Sequence, residues 1–405
     1  MHITLFEDHL TGENRPITLP RPAFGVSLAA TTLYDLVKRY ASGVSALVRP
    51  YLRDKTAASF RLSPPAASDV LFVNASLAPS FAIMDRLTKE AALGENFLIP
   101  QDSRVAAAYF KTLPEGFAEQ NEQTITSYLL AQPYRSVRQD MPFVELPSDV
   151  IRWHQEYFEE NIKRLADGLS EAQHGVFVGK DVKIHPTAVL DAEEGPIVLH
   201  DRVSVGPFAL LVGPVIVGAG TKIIERATIK EEVQIGHTCK IGGEVECSII
   251  EPYSNKQHHG FLGHAYVGSW VNMGAGTCNS DLKNTYGEVA IQHRGRRFNT
   301  GMQFLGCVIG DFSKTAINTS IFTGKIVGVC SFLYGFVGTN VPSFTNYARS
   351  FGQETECLLD VVVKTQERMY TRRKVQQTVA DIKLLEDMYE ITRDERQMST
   401  EGLSF

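Results

Sequence analysis

Residues 205–242 read VGPFALLVGPVIVGAGTKIIERATIKEEVQIGHTCKIG, and an aliphatic side chain recurs at every sixth position: Val205, Leu211, Val217, Ile223, Ile229, Ile235 and Ile241. A helix repeats its apolar face about every 3.6 residues and a half-buried strand every second residue, so neither produces this pattern. A six-residue aliphatic period belongs to a parallel β-helix, in which each hexapeptide makes one short strand and a turn and three strands close one triangular coil. The aliphatic residue points into the prism, and each coil buries the face of the next. Gly206, Gly218, Gly236 and Gly242 follow aliphatic positions and suit tight turns.

The same phase runs upstream at Val178, Ile184 and Leu190 and resumes at Leu199 after a three-residue insertion near Glu193. It reappears at Phe261, Val267 and Met273, and again at Ile309, Thr315, Ile321, Val327 and Leu333. Two further interruptions stand out. Segment 253–260 slips the register by two residues where His258 and His259 lie, and segment 278–302 (CNSDLKNTYGEVAIQHRGRRFNTGM) is a long excursion between coils. Loops that leave a rigid solenoid are where function gathers.

The flanks differ. In 1–147, ITLFED and DVLFVNASL read as strands, whereas SLAATTLYDLVKRY and SFAIMDRLTKEAALGEN read as helices, which together predict an α/β layer domain. Residues 148–172 read as a helical connector capped by Ser148, 173–345 as the β-helix, and 346–405 as a C-terminal helical segment of mixed charge, for a surface helix or one packing on a partner subunit.

Composition narrows the function classes. The chain has 405 residues, 43% hydrophobic and 21% charged, with a net charge of -6, which gives no bulk attraction to nucleic acid or to an acidic membrane. No apolar run is long enough to span a bilayer, and the N-terminus lacks the basic-then-apolar pattern of a signal peptide, so a cytoplasmic protein is expected. The six cysteines show no CxxC spacing and fit buried thiols in a reducing compartment.

The repeat resembles the left-handed β-helix of hexapeptide acyltransferases. The stretch YSNKQHHGFLGHAYVGSWVNMGAGTCNSDLKNTYGEV, from Tyr253 to Val289, resembles the acetyltransferase region of the bifunctional bacterial enzyme that acetylates glucosamine-1-phosphate and then uridylylates it. It is closer still to a divergent branch of two-domain sugar nucleotidyltransferases found in Bacteroidetes and related bacteria, as are NRPITLPRPAFGVSL near the N-terminus and NTGMQFLGCVIGDFSKTAINTSIFTGKIVGV. The resemblance covers most of the chain and is specific over 240–345.

Acyl transfer from a thioester to an amine requires a base to take the amine proton, donors for the tetrahedral oxyanion, and two substrates held together. The resemblance implies that His258, ahead of FLG at 261–263, is the general base. It implies that Asn272 contacts the sugar or orients that base, and that the backbone at Gly274, Ala275 and Gly276 approaches acyl-CoA, with acetyl-CoA the expected donor. Asn279 matches with a shorter connection before it. Phe261 stands where the family has Tyr, and Glu246 where a basic residue is expected, so the substrate phosphate would fall to Lys256, Lys283 or the HRGRR group at 293–297. His259 is expected to shape the turn and His264 to be an exposed neighbour. In the N-terminal domain the usual Gly-rich nucleotidyltransferase loop is absent. Arg15 and Arg21 could meet phosphate, Glu7 and Asp8 could hold Mg2+, and Asn74 ends a strand where α/β ligand sites gather. Nucleotidyl transfer by this domain stays open beside sugar-nucleotide binding or a degenerate role. The resemblance further implies a homotrimer acting on small molecules. The alternatives are a nucleotidyltransferase using the β-helix as an oligomerisation scaffold, and a non-catalytic sugar-nucleotide binding protein.

Overall fold

The computed structural model describes residues 1–396. The chain divides into two compact units, Met1–Asp149 and Val150–Phe405.

The first unit is an α/β layer. Its sheet comprises β1 (His2–Phe6), β2 (Gly43–Leu47), β3 (Ser68–Asn74), β4 (Phe97–Gln101), β5 (Arg104–Thr112) and β6 (Arg135–Ser136), in the order β2-β1-β3-β5-β4-β6. β1 pairs in parallel with both β2 and β3, whereas β5 runs antiparallel to its neighbours. Strand β3 is apolar along Val70–Val73 and buried throughout that run, as a strand covered on both faces must be. Helix α1 (Phe81–Ala91) starts where Ser80 Oγ accepts from Ile83 N at 3.3 Å. The other expected helix shrinks to Leu33–Val37, because Ser27–Leu28 and Thr31–Thr32 pair as a small antiparallel ladder first. Its start is fixed by Thr32, whose hydroxyl accepts from Asp35 N.

Helix α2 (Asp149–Ala166) leads into the second unit, where His154 Nε2 bonds the Glu232 carbonyl at 2.8 Å. Ser148 does not cap it as expected: its hydroxyl is buried without a partner, and Asp149 Oδ2 accepts from Glu145 N and Leu146 N instead.

The β-helix follows, left-handed and of about 10 turns. One face stacks Val176–Val178, Ile197–Leu199, Val215–Val217, Val233–Ile235, Ile249–Ile250, Tyr266–Val267, Cys307–Ile309 and Lys325–Val327 in parallel. The second face carries Lys183–Ile184, Ser204–Val205, Lys222–Ile223, Lys240–Ile241 and Asn255–Lys256, then Asn272 by isolated bridges, then Lys314–Thr315 and Phe332–Leu333. The third carries Val189–Asp191, Leu210–Val212, Thr228–Ile229, Glu244–Glu246 and Phe261–Gly263, then Cys278–Asn279, Ser320–Ile321 and Phe336–Val337. The sixth-position residues from Val205 to Ile241 all lie in one buried cluster with Met273, Ile309, Ile321 and Leu333. The first coil is thinner, and Ile184 is exposed.

At one coil the expected register is corrected. Val245 pairs with Leu262, so Leu262 enters the prism and Phe261 points out. At each end of the stack one face carries a reversed strand: Ser170–Gln173 runs antiparallel to Val176–Val178, and Gln353–Glu356 runs antiparallel to Thr345–Ala348. The C-terminal segment is then two helices, α3 (Leu359–Arg372) and α4 (Val379–Ile391), rather than one. Thr378 and Asp381 form a capping box that starts α4 afresh. The last part of the expected helix, from residue 397, lies outside the described residues.

Candidate active site

The structure moves the expected slip upstream of the histidines: the paired interior residues Ile241, Val245 and Ile250 are four and five residues apart, whereas Ile250, Lys256 and Leu262 keep the spacing of six. What departs from the repeat at this coil is the residue type, Lys256. Its strand pairs Ile241 with Lys256, so the lysine occupies an interior-facing position in a column that runs through Val205, Ile223 and Ile241, and it is 3% exposed. A charge there must be solvated by the protein itself. The ammonium donates to Gly242 O at 2.9 Å and to Gly260 O, drawing the turn 257–260 around it. Burial lowers the Lys256 amine to about 8. Gly243, at φ +68, has to be glycine: a Cβ would sit 2.6 Å from Lys256 Nζ and 2.8 Å from His258 O. Lys256 is therefore part of the scaffold of the turn and offers no open contact to a substrate.

That turn is the corner between the second and third faces. His258 and His259 stand exposed on it. His259 O accepts from Gly276 N at 3.0 Å, and a Cβ at Gly276 would lie 3.4 Å from His259 Nε2. The Gly274–Ala275–Gly276 turn of the next coil thus lies against the histidine corner. Gly274 N is held by Thr315, and Ala275 O accepts from Asn318 N at 2.7 Å. The Ala275 N–H has no acceptor among the described residues and remains available. Sequence reasoning placed His258 and this turn in one site, and the structure brings the two turns together.

The other candidates separate. Asn272 projects from the second face, in a ladder with Asn255 and Lys314, and lines a cleft of about 210 Å³ with Tyr253, Trp270, Met369, Arg372 and Arg373. Asn279 faces the interior: its amide receives Gly263 N at 2.9 Å and donates to Gly263 O at 2.8 Å. Half-buried Phe261 is an outward residue of the third face. Glu246 and Glu244 hold Lys230 at 3.0 and 2.8 Å, which neutralises that cation. Lys283 Nζ is tied to Glu288 O at 2.6 Å. HRGRR forms the end of a hairpin, Ala290–His293 paired with Arg296–Asn299, with its arginines exposed and His293 buried.

His264 differs most from expectation. It is buried, its Nδ1 lies 2.9 Å from Asp281 Oδ2, and its ring stacks on Phe304 with centroids 5.3 Å apart. His264 thus meets Asp281 near the start of the excursion 278–302 and Phe304 just beyond its end. Asp281, Lys314, Arg372 and Arg373 were not singled out from the sequence. For Lys314 a signal existed, since it directly precedes Thr315, an interior position of the repeat, and so must face out.

In the first unit, Asp8 is fully buried. Burial alone would raise its carboxyl, but Arg104, bonded at 2.7 and 2.9 Å, outweighs burial and holds it below its ordinary value. Asn74 Nδ2 and Leu10 N occupy the same oxygens, so Asp8 has no open coordination position for Mg2+, and Asn74 faces Asp8 and the Val105 carbonyl rather than a cleft. Glu7 is likewise engaged by Arg49 at 2.9 and 3.0 Å. Half-buried Arg15 and Arg21 sit on the loop above that pair, where Arg49 also donates to Thr18 O and Arg21 O. Among the described residues, no group of three or more His, Cys, Asp or Glu side chains clusters as a metal site.

The fold and the histidine corner define a class, an α/β unit joined to a hexapeptide β-helix whose corner carries a candidate acyl-transfer base. Residues 3–170 match the family model described as sugar nucleotidyl transferase. The chain is similar to the bifunctional sugar-1-phosphate nucleotidylyltransferase/acetyltransferase of Sulfurisphaera tokodaii, 34% identical over 97 residues, or 24% of each chain. It is also similar to the bifunctional protein GlmU of Thermotoga petrophila, 26% identical over 243 residues, covering 55% of this chain and 51% of the relative. Against GlmU of Acidithiobacillus ferrooxidans it is 37% identical over 116 residues, 27% of this chain and 24% of the relative. The chain thus spans about half the length, or less, of these curated relatives. Among solved structures, an N-acyltransferase from Bacillus cereus in complex with dTDP and coenzyme A overlaps 53% of this chain and 97% of its own, at 13% identity and a TM-score of 0.24.

Proposed function

We propose that this protein is a transferase of sugar-nucleotide metabolism whose β-helix moves an acyl group, acetyl in the expected case, from acyl-CoA to the amine of an amino-sugar phosphate. The observation that supports this reading is the exposed His258 corner lying against the Gly274–Gly276 turn with its available Ala275 N–H. The substrate ammonium first loses one proton to solvent, and His258 takes the second proton from the amine as its lone pair attacks the thioester carbonyl. The new C–N bond forms as the carbonyl oxygen gains negative charge, and the Ala275 N–H is a donor for that oxyanion. Collapse breaks the C–S bond, and the imidazolium returns its proton to the leaving thiolate. The test follows free thiol from acetyl-CoA with glucosamine 1-phosphate and related amino sugars. His258→Ala should slow release by roughly 10²-fold or more, and equal rates in variant and wild type would reject His258.

The first unit, on this reading, binds or activates the sugar as a nucleotide. Saturated Asp8 favours binding over metal-assisted transfer at that position. Pyrophosphate release from UTP or dTTP with sugar 1-phosphates separates the two, and transfer that survives Arg15→Ala and Arg21→Ala removes those residues from the site. A homotrimer fits the exposed apolar side chains Ile317, Phe322 and Phe336 on and beside the third face. The six free thiols suit a reducing cytoplasm, and no helix among the described residues is long and apolar enough to cross a membrane.

A further inference from the structure

An amino-sugar phosphate and acyl-CoA both carry phosphate, yet the cations put forward from the sequence are engaged elsewhere or lie away from a cleft. Lys256 is inside the prism, Lys283 holds a carbonyl, and the HRGRR arginines sit on an exposed hairpin end. The second face is different. Its outward ladder pairs Lys222 with Lys240, Lys240 with Asn255, Asn255 with Asn272 and Asn272 with Lys314. Helix α3 lies over this ladder. Trp270 is sandwiched between Tyr253, at 4.2 Å and 2°, and Tyr370 of the helix, at 4.5 Å. The packing brings Arg372 and Arg373 to the rim of the 210 Å³ cleft, with Lys314 opposite.

No carboxylate lines this cleft. The side chains of Lys222, Lys240 and Arg372 make no hydrogen bond or ion pair among the described residues; Arg373 donates only to Asn255 Oδ1 at 2.6 Å, and Lys314 only to Phe312 O at 2.8 Å. Like charges on paired strands repel. The strain registers at Lys240, whose amine is pushed below its ordinary value by burial and then by Arg373, Arg372 and Lys222. A chain of net charge -6 has gathered five unneutralised cations on one face.

We propose that this cleft is a phosphate site, in which Arg372 and Arg373 at the C-terminal end of helix α3 and Lys314 of the β-helix hold a phosphate or pyrophosphate group of a substrate, with Asn255 and Asn272 as neutral partners. Guanidinium forks pair well with phosphate oxygens, and two of them beside an ammonium match a dianion. Asn255 is three residues from His258, so the Cα atoms of these two residues lie within about 11 Å of each other. That proximity, and only that, rests on the acyl-transfer reading.

Titration calorimetry with inorganic pyrophosphate tests the site without turnover. Wild-type protein should bind, more weakly as salt rises, and the Arg372→Gln/Arg373→Gln protein at least tenfold more weakly, with Lys314→Met also weakened. Lys364→Gln, on the same helix but outside the cleft, should bind as wild type. No heat with wild type, or equal affinity in a double variant whose melting and circular dichroism are unchanged, would overturn the site. Glucosamine 1-phosphate and coenzyme A serve as competitors: displacement by the first assigns the cleft to the acceptor, displacement by the second to the donor, and displacement by neither also overturns it. Pyrophosphate binding without thiol release rejects acyl transfer alone. Thiol release with unaltered KM in the double variant rejects the phosphate site alone.

Discussion

A single lysine decides how the histidine corner is built. Lys256 replaces an aliphatic residue in the prism and uses its ammonium to hold two carbonyls, so the turn bearing His258 closes around a buried charge. Its titration has a defined sign. The folded protein releases the Lys256 proton near pH 8, whereas the unfolded chain keeps it to about 10.5. Below pH 8 both states are protonated and the cost of burying the charge is fully present; between these values the unfolded state binds more protons, so stability rises with pH. The contribution is at most about 3 kcal/mol. Lys256→Met should therefore flatten the rise in urea midpoint between pH 8 and 10, the remainder coming from Lys314, which burial also lowers to about 8. Identical pH slopes in both proteins would show that Lys256 does not titrate there. At this scale the sequence exposes motif and spacing but not direction. That His258 stands on a turn between two strands of the β-helix was legible from its neighbours. The inward turn of Lys256 and Asn279 was not, because a polar residue at an interior position is invisible until the carbonyls or amides that satisfy it are in place. The pairing of His264 with Asp281 was hidden for a related reason, since the two meet only after the chain has completed another coil.

Among elements, the coil is the unit, and its register was readable wherever six residues separate aliphatic positions. From Val205 to Ile241 every expected interior residue is interior. The reading failed at Phe261, where an aromatic and an aliphatic residue stand side by side and only strand pairing decides which enters. Energetics should report this directly. Leu262→Ala removes a fully buried side chain and should cost about 2–5 kcal/mol, whereas Phe261→Ala should cost well under half as much; comparable losses in chemical denaturation would contradict the register. The C-terminal helices also follow from their sequence, but the division at Thr378 depends on a capping box that a continuous charged pattern obscures.

The whole molecule joins an α/β unit and a solenoid, and this division was visible from the change of periodicity alone. Assembly was not, because faces that meet a second copy look in sequence like any outward strand position. Phe336, 64% exposed on the third face, makes the proposed homotrimer testable. Phe336→Glu should reduce the mass found by light scattering from three chains to one, and an unchanged mass would remove this face from the interface. Direction of assembly is constrained in another way. A stack of parallel strands is a template for its own continuation, since each terminal coil presents unpaired amides and carbonyls to the next chain that arrives. Here each terminus meets, on one face, a strand of opposite polarity, Ser170–Gln173 at one end and Gln353–Glu356 at the other. On those two faces a second solenoid approaching end-on meets a strand of the wrong polarity to continue the parallel stack, which disfavours growth into filaments.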